Sequence, residues 1–210
     1  TGLNYRFTTI SVDALRSRVY LYMGRWADAL AAAKRVLAKK ADLADLNSEL
    51  PNAYNSVESI IALEEVMTAT YARAGKVNRD LFRTYNSNDL RRSKYYKQVT
   101  ASNIQLLKGG SNSYACSFRT GEIYLNAAEA ALESNAGDEA RSYLLALMKS
   151  RYKDAYYTQR EEAVNAMATD ELREEIYAER RRELAFEGHR WFDLRRTTRP
   201  ELTKTYGTET

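Results

Sequence analysis

The stretch "RRRELAFEGHRWFDLRR", residues 180–196, decides how the end of the chain folds. It holds six arginines, three carboxylates, one tryptophan, two phenylalanines and the only histidine of the chain. A cluster of this kind can be a catalytic centre, a binding surface or a structural contact between two segments. The spacing of residues in and around the stretch distinguishes these alternatives.

The helix that leads into this stretch is predicted to begin near Thr169 and to end at Gly188. Thr169 is a suitable N-cap, and the two acidic residues that follow it suit the positive end of a helix. Leu172, Ile176 and Leu184 recur on one face, so we expect them to be buried. Gly188 is placed where a glycine commonly ends a helix.

Three glutamates spaced four apart, Glu179, Glu183 and Glu187, raise the question of a metal or acid–base site. A di-iron site requires Glu-x-x-His pairs, but the residues three positions after Glu183 and Glu187 are Phe186 and Arg190. A general acid requires a carboxylate kept apart from cations, whereas arginines lie within a helical turn of these glutamates. We therefore expect no metal, no cofactor and no enzymatic activity.

The interpretation that fits best is a terminal clasp, in which arginines bind carboxylates bidentately and join the last helix to "HRWFDLRR". Trp191, Phe192 and Leu194 are expected to pack as the apolar half of this contact. The predicted members of the terminal clasp are Glu179, Arg180, Glu183, Glu187, Arg190, Trp191, Asp193 and Arg195.

Composition excludes several classes of protein. The 210 residues, 44% of them hydrophobic, suffice for one globular domain, and we expect a single domain over residues 1–210. Basic and acidic residues, 32 and 28, are mixed along the chain, so no nucleic-acid partner is expected. Cys116 is the only cysteine, which excludes an internal disulfide. No apolar run has the length of a membrane span, and any export or anchoring signal is expected to lie outside this sequence.

Two helical hairpins are predicted, over about residues 8–40 and 119–152, with a terminal helix and clasp over about 169–196. The first breaks at "MGRW", and Leu15, Val19 and Met23 supply the apolar stripe of its first helix. The aromatic, glycine and alanine spacing around this break resembles a tetratricopeptide repeat. The second hairpin breaks at "NAG" and has a similar pattern.

An insertion separates the hairpins, over about residues 50–118. Its short runs "YYKQV" and "IQLLK" favour a β-hairpin, while "VESIIAL" fits either a strand or the start of a helix. The insertion is expected to have no core of its own. The predicted fold is thus mainly α, an α-α superhelix of tetratricopeptide-like hairpins with a small irregular or β-hairpin excursion.

The residues from Glu179 to Arg196 resemble the C-terminal signature of the SusD/RagB family, approximately E-R-x-x-E-L-A-F-E-G-x-R-W-x-D-L-x-R. "RDLFRTYNSNDLR" is similar to the family's D-x-R segment at Asp89 and Arg91, and "RTGEIYLNAAEA" to its R-x-x-E-x-Y-L helix. "LMKSRY" matches a further motif of the family in part, at Lys149 and Arg151. The resemblance covers almost the whole chain but only the C-terminal half of a typical member.

The resemblance implies a non-enzymatic, surface-exposed outer-membrane lipoprotein that takes part in polysaccharide utilisation. Such proteins bind oligosaccharides or other nutrients above a SusC-like TonB-dependent transporter, which the tetratricopeptide-like scaffold faces. An aromatic-lined surface elsewhere holds the glycan. The alternative function is a protein-interaction scaffold that binds no sugar.

Glycan binding requires exposed aromatic rings beside polar side chains, and the chain has 16 tyrosines. Those expected in repeat helices are assigned to packing. The tyrosines in polar, irregular surroundings are the predicted carbohydrate-binding residues, namely Tyr54, Tyr71, Tyr114, Tyr156 and Tyr157.

Overall fold

The computed structural model describes residues 5–62, 77–101, 103–108 and 117–201, and the fold of these residues is mainly helical, as predicted. None of their helices is long and apolar enough to cross a membrane. The described helices are α1 Thr9–Tyr22, α2 Trp26–Leu37, α3 Arg79–Arg83, α4 Leu90–Lys94, α5 Thr120–Glu133, α6 Gly137–Lys149, α7 Asp154–Ala166, α8 Thr169–Glu183 and α9 Arg190–Arg196. The strands are β1 Ser59–Ile61, β2 Tyr96–Gln98, β3 Ile104–Leu106 and β4 Phe118–Arg119.

Helices α1 and α2 form an antiparallel hairpin where the sequence predicted one. Gly24 lies in the connection with φ +69°, a left-handed conformation that glycine adopts without steric cost. The connection is therefore short enough to fold α2 back along α1. Ala29 and Ala33 are fully buried, which lets α2 approach its neighbours closely.

The predicted stripe of α1 is wrong. Leu15, Val19 and Met23 are exposed, and α1 instead turns Ala14, Ser17 and other small residues inward. Ser17 accepts a hydrogen bond from the Asn126 side chain of α5 at 3.1 Å. The inward face of α1 thus consists mainly of small or polar side chains, some of which form hydrogen bonds with neighbouring helices. A search for periodic hydrophobic residues does not detect such a face.

The second hairpin consists of α5 and α6, and α8 packs across α5. Asn135 has φ +62° in the break between the two helices. Leu125, Leu144 and Leu172 are fully buried in the main hydrophobic cluster, to which α5, α6, α7 and α8 all contribute. This cluster forms the centre of the described fold.

The excursion between the hairpins contains the predicted β-hairpin, with β2 and β3 antiparallel and Tyr96 opposite Leu106. Within "VESIIAL", the residues of β1 form a strand that pairs antiparallel with β4. The excursion contributes to a hydrophobic cluster that it shares with Leu46, which precedes it, and with Phe186, which follows α8; half of the buried residues in this cluster are aromatic. It includes Tyr85, Tyr95, Tyr96, Phe82, Ile104 and Leu106.

The terminal helix begins at Thr169, as predicted, but its N-cap residue and its C-terminal end differ from prediction. Ala168 is the N-cap residue, and its amide donates to the Glu171 carboxylate at 2.9 Å. The helix ends at Glu183, ahead of Gly188. The carbonyl oxygen of Glu183 accepts from Lys108 Nζ at 2.7 Å and from Arg119 Nη2 at 3.0 Å, so side chains from the excursion occupy it.

Candidate functional site

A buried carboxylate, that of Glu183, lies at the centre of the charged residues. Its Oε1 accepts from Arg119 Nη1 at 2.7 Å and from Arg151 Nη2 at 2.9 Å. Its Oε2 accepts from Arg91 Nη1 at 2.9 Å and from Arg151 Nε at 3.0 Å. All four side chains are almost completely excluded from solvent.

Each arginine around Glu183 comes from a different part of the chain. Arg91 lies on α4 of the excursion, Arg119 ends β4, and Arg151 follows α6. One carboxylate of α8 therefore connects the excursion, the strand pair and the second helical hairpin. The arrangement fixes where these segments lie relative to α8, because guanidinium forks bind carboxylates in one planar geometry.

A second buried carboxylate belongs to Glu58, the residue immediately before β1, and it binds two of the same arginines. Glu58 Oε2 accepts from Arg119 Nη1 at 2.9 Å, and Glu58 Oε1 is bound by Arg151 Nη2. The amide of Gly121 also donates to Glu58, at 3.2 Å. A Cβ at Gly121 would lie 2.9 Å from Glu58 Oε2 and 3.0 Å from Glu183 Oε1, so glycine keeps the space that these carboxylates occupy.

Glu179, one turn before Glu183, binds the other side of the cluster. Its Oε1 accepts from Arg91 Nη1 at 2.5 Å, and its Oε2 accepts from the Tyr152 hydroxyl at 2.9 Å. Arg182 donates to the same Oε2 at 2.7 Å. Asp89 completes the shell by accepting from Arg91 Nε at 2.9 Å.

Glu187, one turn after Glu183, pairs with two cations from the excursion side. It accepts from Lys108 Nζ at 2.5 Å and from Arg119 Nε at 2.9 Å. Lys108 also lies 4.4 Å from the centre of the Tyr95 ring, a cation–π distance. We call the whole set the Glu183 network. Its members are Glu58, Asp89, Arg91, Lys108, Arg119, Arg151, Glu179, Glu183 and Glu187.

Three carboxylates of the network, those of Glu179, Glu183 and Glu187, are held ionised. Burial opposes the ionisation of Glu183, but the charges of Arg151, Arg119 and Arg91 outweigh it and hold its pKa well below the usual value. Burial is outweighed in the same way at Glu179 and Glu187, whose pKa values fall to about 2. None of the three has the raised pKa that a general acid requires. The described residues include no group of His, Cys, Asp or Glu arranged to hold a metal ion.

The structure contains only part of the predicted terminal clasp. Arg180 binds Asp193 at 3.2 Å, which joins α8 to α9. The three glutamates, however, pair mainly with cations of the excursion and the second hairpin. Arg190 and Arg195 form no ion pair with any described residue.

Trp191 and Phe192 were expected to be packed, and this is wrong. Their exposed fractions are 56% and 53%. Asp193 is buried against Arg180, and because successive residues point in different directions around a helix, its two predecessors lie toward solvent. Phe192 is covered only in part, by stacking on Tyr22 at a centroid distance of 6.2 Å.

The predicted carbohydrate-binding tyrosines lie in different settings. Tyr54 is 36% exposed and stacks with Tyr5, with ring centroids 6.3 Å apart and planes inclined by 25°. Tyr156 and Tyr157 are half-buried on α7 against the main hydrophobic cluster, and the Tyr157 hydroxyl donates to Glu161. Tyr71 and Tyr114 lie outside the described residues. Tyr5 was missed by the sequence analysis, since it has no helical or repeat spacing to single it out.

Comparisons with known proteins place this fold among SusD-like structures. The SusD family model matches residues 51–209. A SusD superfamily protein from Bacteroides thetaiotaomicron is similar with a TM-score of 0.72 and 24% identity, covering 92% of this chain and 50% of that chain. A SusD-like carbohydrate binding protein from Bacteroides vulgatus is similar with a TM-score of 0.73 and 21% identity, covering 92% of this chain and 46% of that chain.

A third similar structure is surface glycan-binding protein A from Bacteroides thetaiotaomicron in complex with laminarihexaose. It has a TM-score of 0.70 and 18% identity, covering 94% of this chain and 56% of that chain. No curated protein matches the chain. The chain spans about half the length of these solved structures, and at such identities the likeness is one of fold.

Replacing Arg151 tests how much the Glu183 network contributes to the free energy of unfolding. Arg151→Met removes one cation from two buried carboxylates and is expected to lower the free energy of unfolding by about 3–5 kcal/mol. Arg83→Met, which breaks an exposed pair with Asp80, is expected to lower it by only about 0–1 kcal/mol. Urea unfolding followed by circular dichroism measures both. Equal losses in the two variants would contradict a special role for the buried network.

Lys108 gives the network a pH dependence. Burial lowers its pKa to about 8 despite the carboxylate of Glu187, whereas an unfolded lysine keeps its proton to about pH 10.4. Between these pH values unfolding takes up a proton, so the stability contributed at this position rises with pH. The difference in unfolding free energy between wild type and Lys108→Met is expected to change by up to about 1.4 kcal/mol per pH unit there.

Lys97→Met, at an exposed lysine of β2, provides the control for this titration. Its difference from wild type is expected to stay flat between about pH 8 and pH 10, because this substitution leaves the buried cation of Lys108 in place. Matching pH profiles for Lys108→Met and Lys97→Met would be evidence against the buried charge of Lys108.

Proposed function

This chain belongs to the SusD family, and we propose on that basis that it is part of a non-catalytic, glycan-binding component of an outer-membrane nutrient uptake system. The observation that carries the proposal is the family match over residues 51–209, which includes every member of the Glu183 network. A similar structure holds laminarihexaose, which supports an oligosaccharide as the class of ligand. The proposed location is the cell surface, as a lipoprotein.

The described part of the chain offers one exposed tyrosine pair for sugar contact, Tyr54 with Tyr5. Exposed aromatic faces pack against the apolar faces of sugar rings, and neighbouring amides bond their hydroxyl groups. Asn55 is exposed beside Tyr54 and is such an amide, whereas Asn52 is buried and faces the interior. Tyr156 and Tyr157 are less suitable, because their rings already pack against the protein.

The Glu183 network supports such a function by holding its segments rigidly. Sites for small ligands are largely pre-formed, since ordering flexible groups during binding weakens affinity. Glu58 and Arg151 are part of the network, and Arg151 also donates to the carbonyl of Ala44 at 3.2 Å. The network therefore fixes both ends of the loop that leads toward Tyr54.

A partner protein is the second part of the proposal, and one observation supports it. Helix α1 exposes a row of apolar side chains that soluble helices normally bury: Val12, Leu15, Val19 and Met23. In this family the partner is a SusC-like TonB-dependent transporter. The same row also favours the alternative function, a tetratricopeptide-like scaffold that binds proteins and no sugar.

Calorimetric titration with soluble polysaccharides and oligosaccharides, laminarihexaose included, tests sugar binding. We expect saturable binding to one glycan class, weakened roughly fivefold by Tyr54→Ala through loss of about 1 kcal/mol of ring contact. Tyr54→Phe keeps the ring face and is expected to retain most of the affinity. Circular dichroism of each variant controls for folding.

Two outcomes would count against glycan capture through Tyr54. Absence of binding across the whole panel by folded wild type would leave the scaffold function in its place. Binding that is unchanged in Tyr54→Ala would move the contact to other aromatic residues.

A further inference from the structure

Four arginines near the end of the described chain have no ionic partner there. Arg180, Arg182 and Arg196 each bind carboxylates. Their neighbours form no ion pair with any described residue, although carboxylates are abundant in α8. These unpaired arginines are Arg181, Arg190, Arg195 and Arg199.

Two of them face a shared hollow. Arg181 and Arg190 line a cavity of about 210 Å³, together with the hydroxyl-bearing residues Tyr177 and Thr197. Glu174 also lines it, without forming an ion pair. Burial, and then the positive charge of Arg181, lower the pKa of Arg190. The two guanidinium groups thus repel one another, and a bound anion would relieve this repulsion.

The other two lie beside an exposed tryptophan. Trp191, Arg195, Arg199 and Pro200 line a second hollow of about 460 Å³. Leu194 lines both cavities, so the two cavities are adjacent and this residue separates them. The surface therefore offers an exposed indole next to two pairs of guanidinium groups that form no ion pair with a described residue, although Glu174 lies nearby and Asp193 attracts Arg190.

We infer that this surface binds an acidic saccharide, with the Trp191 indole against a sugar ring and the unpaired arginines on its carboxylate groups. The inference rests on the proposed glycan-binding function and adds the chemical class of the ligand. Guanidinium forks match carboxylates bidentately, and an exposed indole packs against the apolar face of a ring. A nucleic acid is less well matched, because it needs a longer run of cations along its backbone, while Glu174 interrupts this one.

The test compares uronic-acid oligosaccharides of the galacturonate, glucuronate and alginate types, each with its carboxyl-reduced counterpart, by calorimetry. At least one acidic oligosaccharide is expected to bind about tenfold or more tighter than its reduced form, since its bonds are charge-assisted. Arg190→Gln is expected to remove most of this advantage, with a smaller effect on the reduced form, which offers Arg190 hydroxyl groups but no carboxylate. Trp191→Ala is expected to weaken both forms.

Arg79→Gln is the matched control, because Arg79 is an exposed arginine on α3 that also lacks an ionic partner among the described residues. It is expected to change neither affinity. Equal binding of acidic and reduced forms, or equal effects of Arg190→Gln and Arg79→Gln, would overturn the inference. So would inorganic sulfate or a single-stranded oligonucleotide binding at Arg190 as tightly as the acidic saccharides.

These experiments distinguish a failure of the acidic-saccharide site from a failure of the proposed glycan-binding function. Neutral glycans that bind through Tyr54, with no preference for carboxylates, would overturn the acidic site and leave glycan capture standing. If no saccharide of either class binds to folded protein, both proposals are overturned together.

Discussion

The carboxylate of Glu183 is removed from water, and the rest of the structure depends on the cations that compensate it. An uncompensated buried charge costs several kcal/mol, so Arg91, Arg119 and Arg151 must all reach the same point. A buried ion pair is not by itself strongly stabilising, because desolvation offsets much of the attraction. Its contribution here is to specificity, since only one relative placement of the excursion, β4 and the second hairpin satisfies all the charges.

This constraint connects architecture to function. The helical hairpins supply a hydrophobic core, but the excursion has only three-residue strands and a share in a small cluster that is half aromatic. Ionic contacts with α8 hold the excursion where short strands alone would be marginal. The Tyr54 pair lies on the loop whose ends Arg151 binds, and the cavity beside Trp191 lies along α9, which the Arg180–Asp193 ion pair joins to α8. The apolar side of α1 remains exposed in the described part of the chain.

Much of the fold could be predicted from the sequence, because it rests on local patterns. Helical periodicity with a glycine or asparagine break predicted both hairpins, and the β-prone runs predicted the β2–β3 pair. The partners of Glu183 could not be predicted by physical reasoning, since Arg91 and Arg151 are distant in sequence and no spacing rule connects them. Their positions coincide with motifs of the SusD/RagB resemblance, which marked the residues but not their contacts. Trp191 was misplaced because its exposure depends on how Asp193 orients α9.

One buried charge couples separate segments of the chain, and hydrogen exchange of backbone amides in Glu183→Gln is the measurement that reports this coupling. The substitution keeps the shape of the side chain and removes its charge, with Glu162→Gln at an exposed glutamate of α7 as the control. We expect amides of α4, β2 and the start of α5 to lose protection together, by roughly 100-fold or more. Loss confined to α8, or protection equal to that of Glu162→Gln, would contradict it.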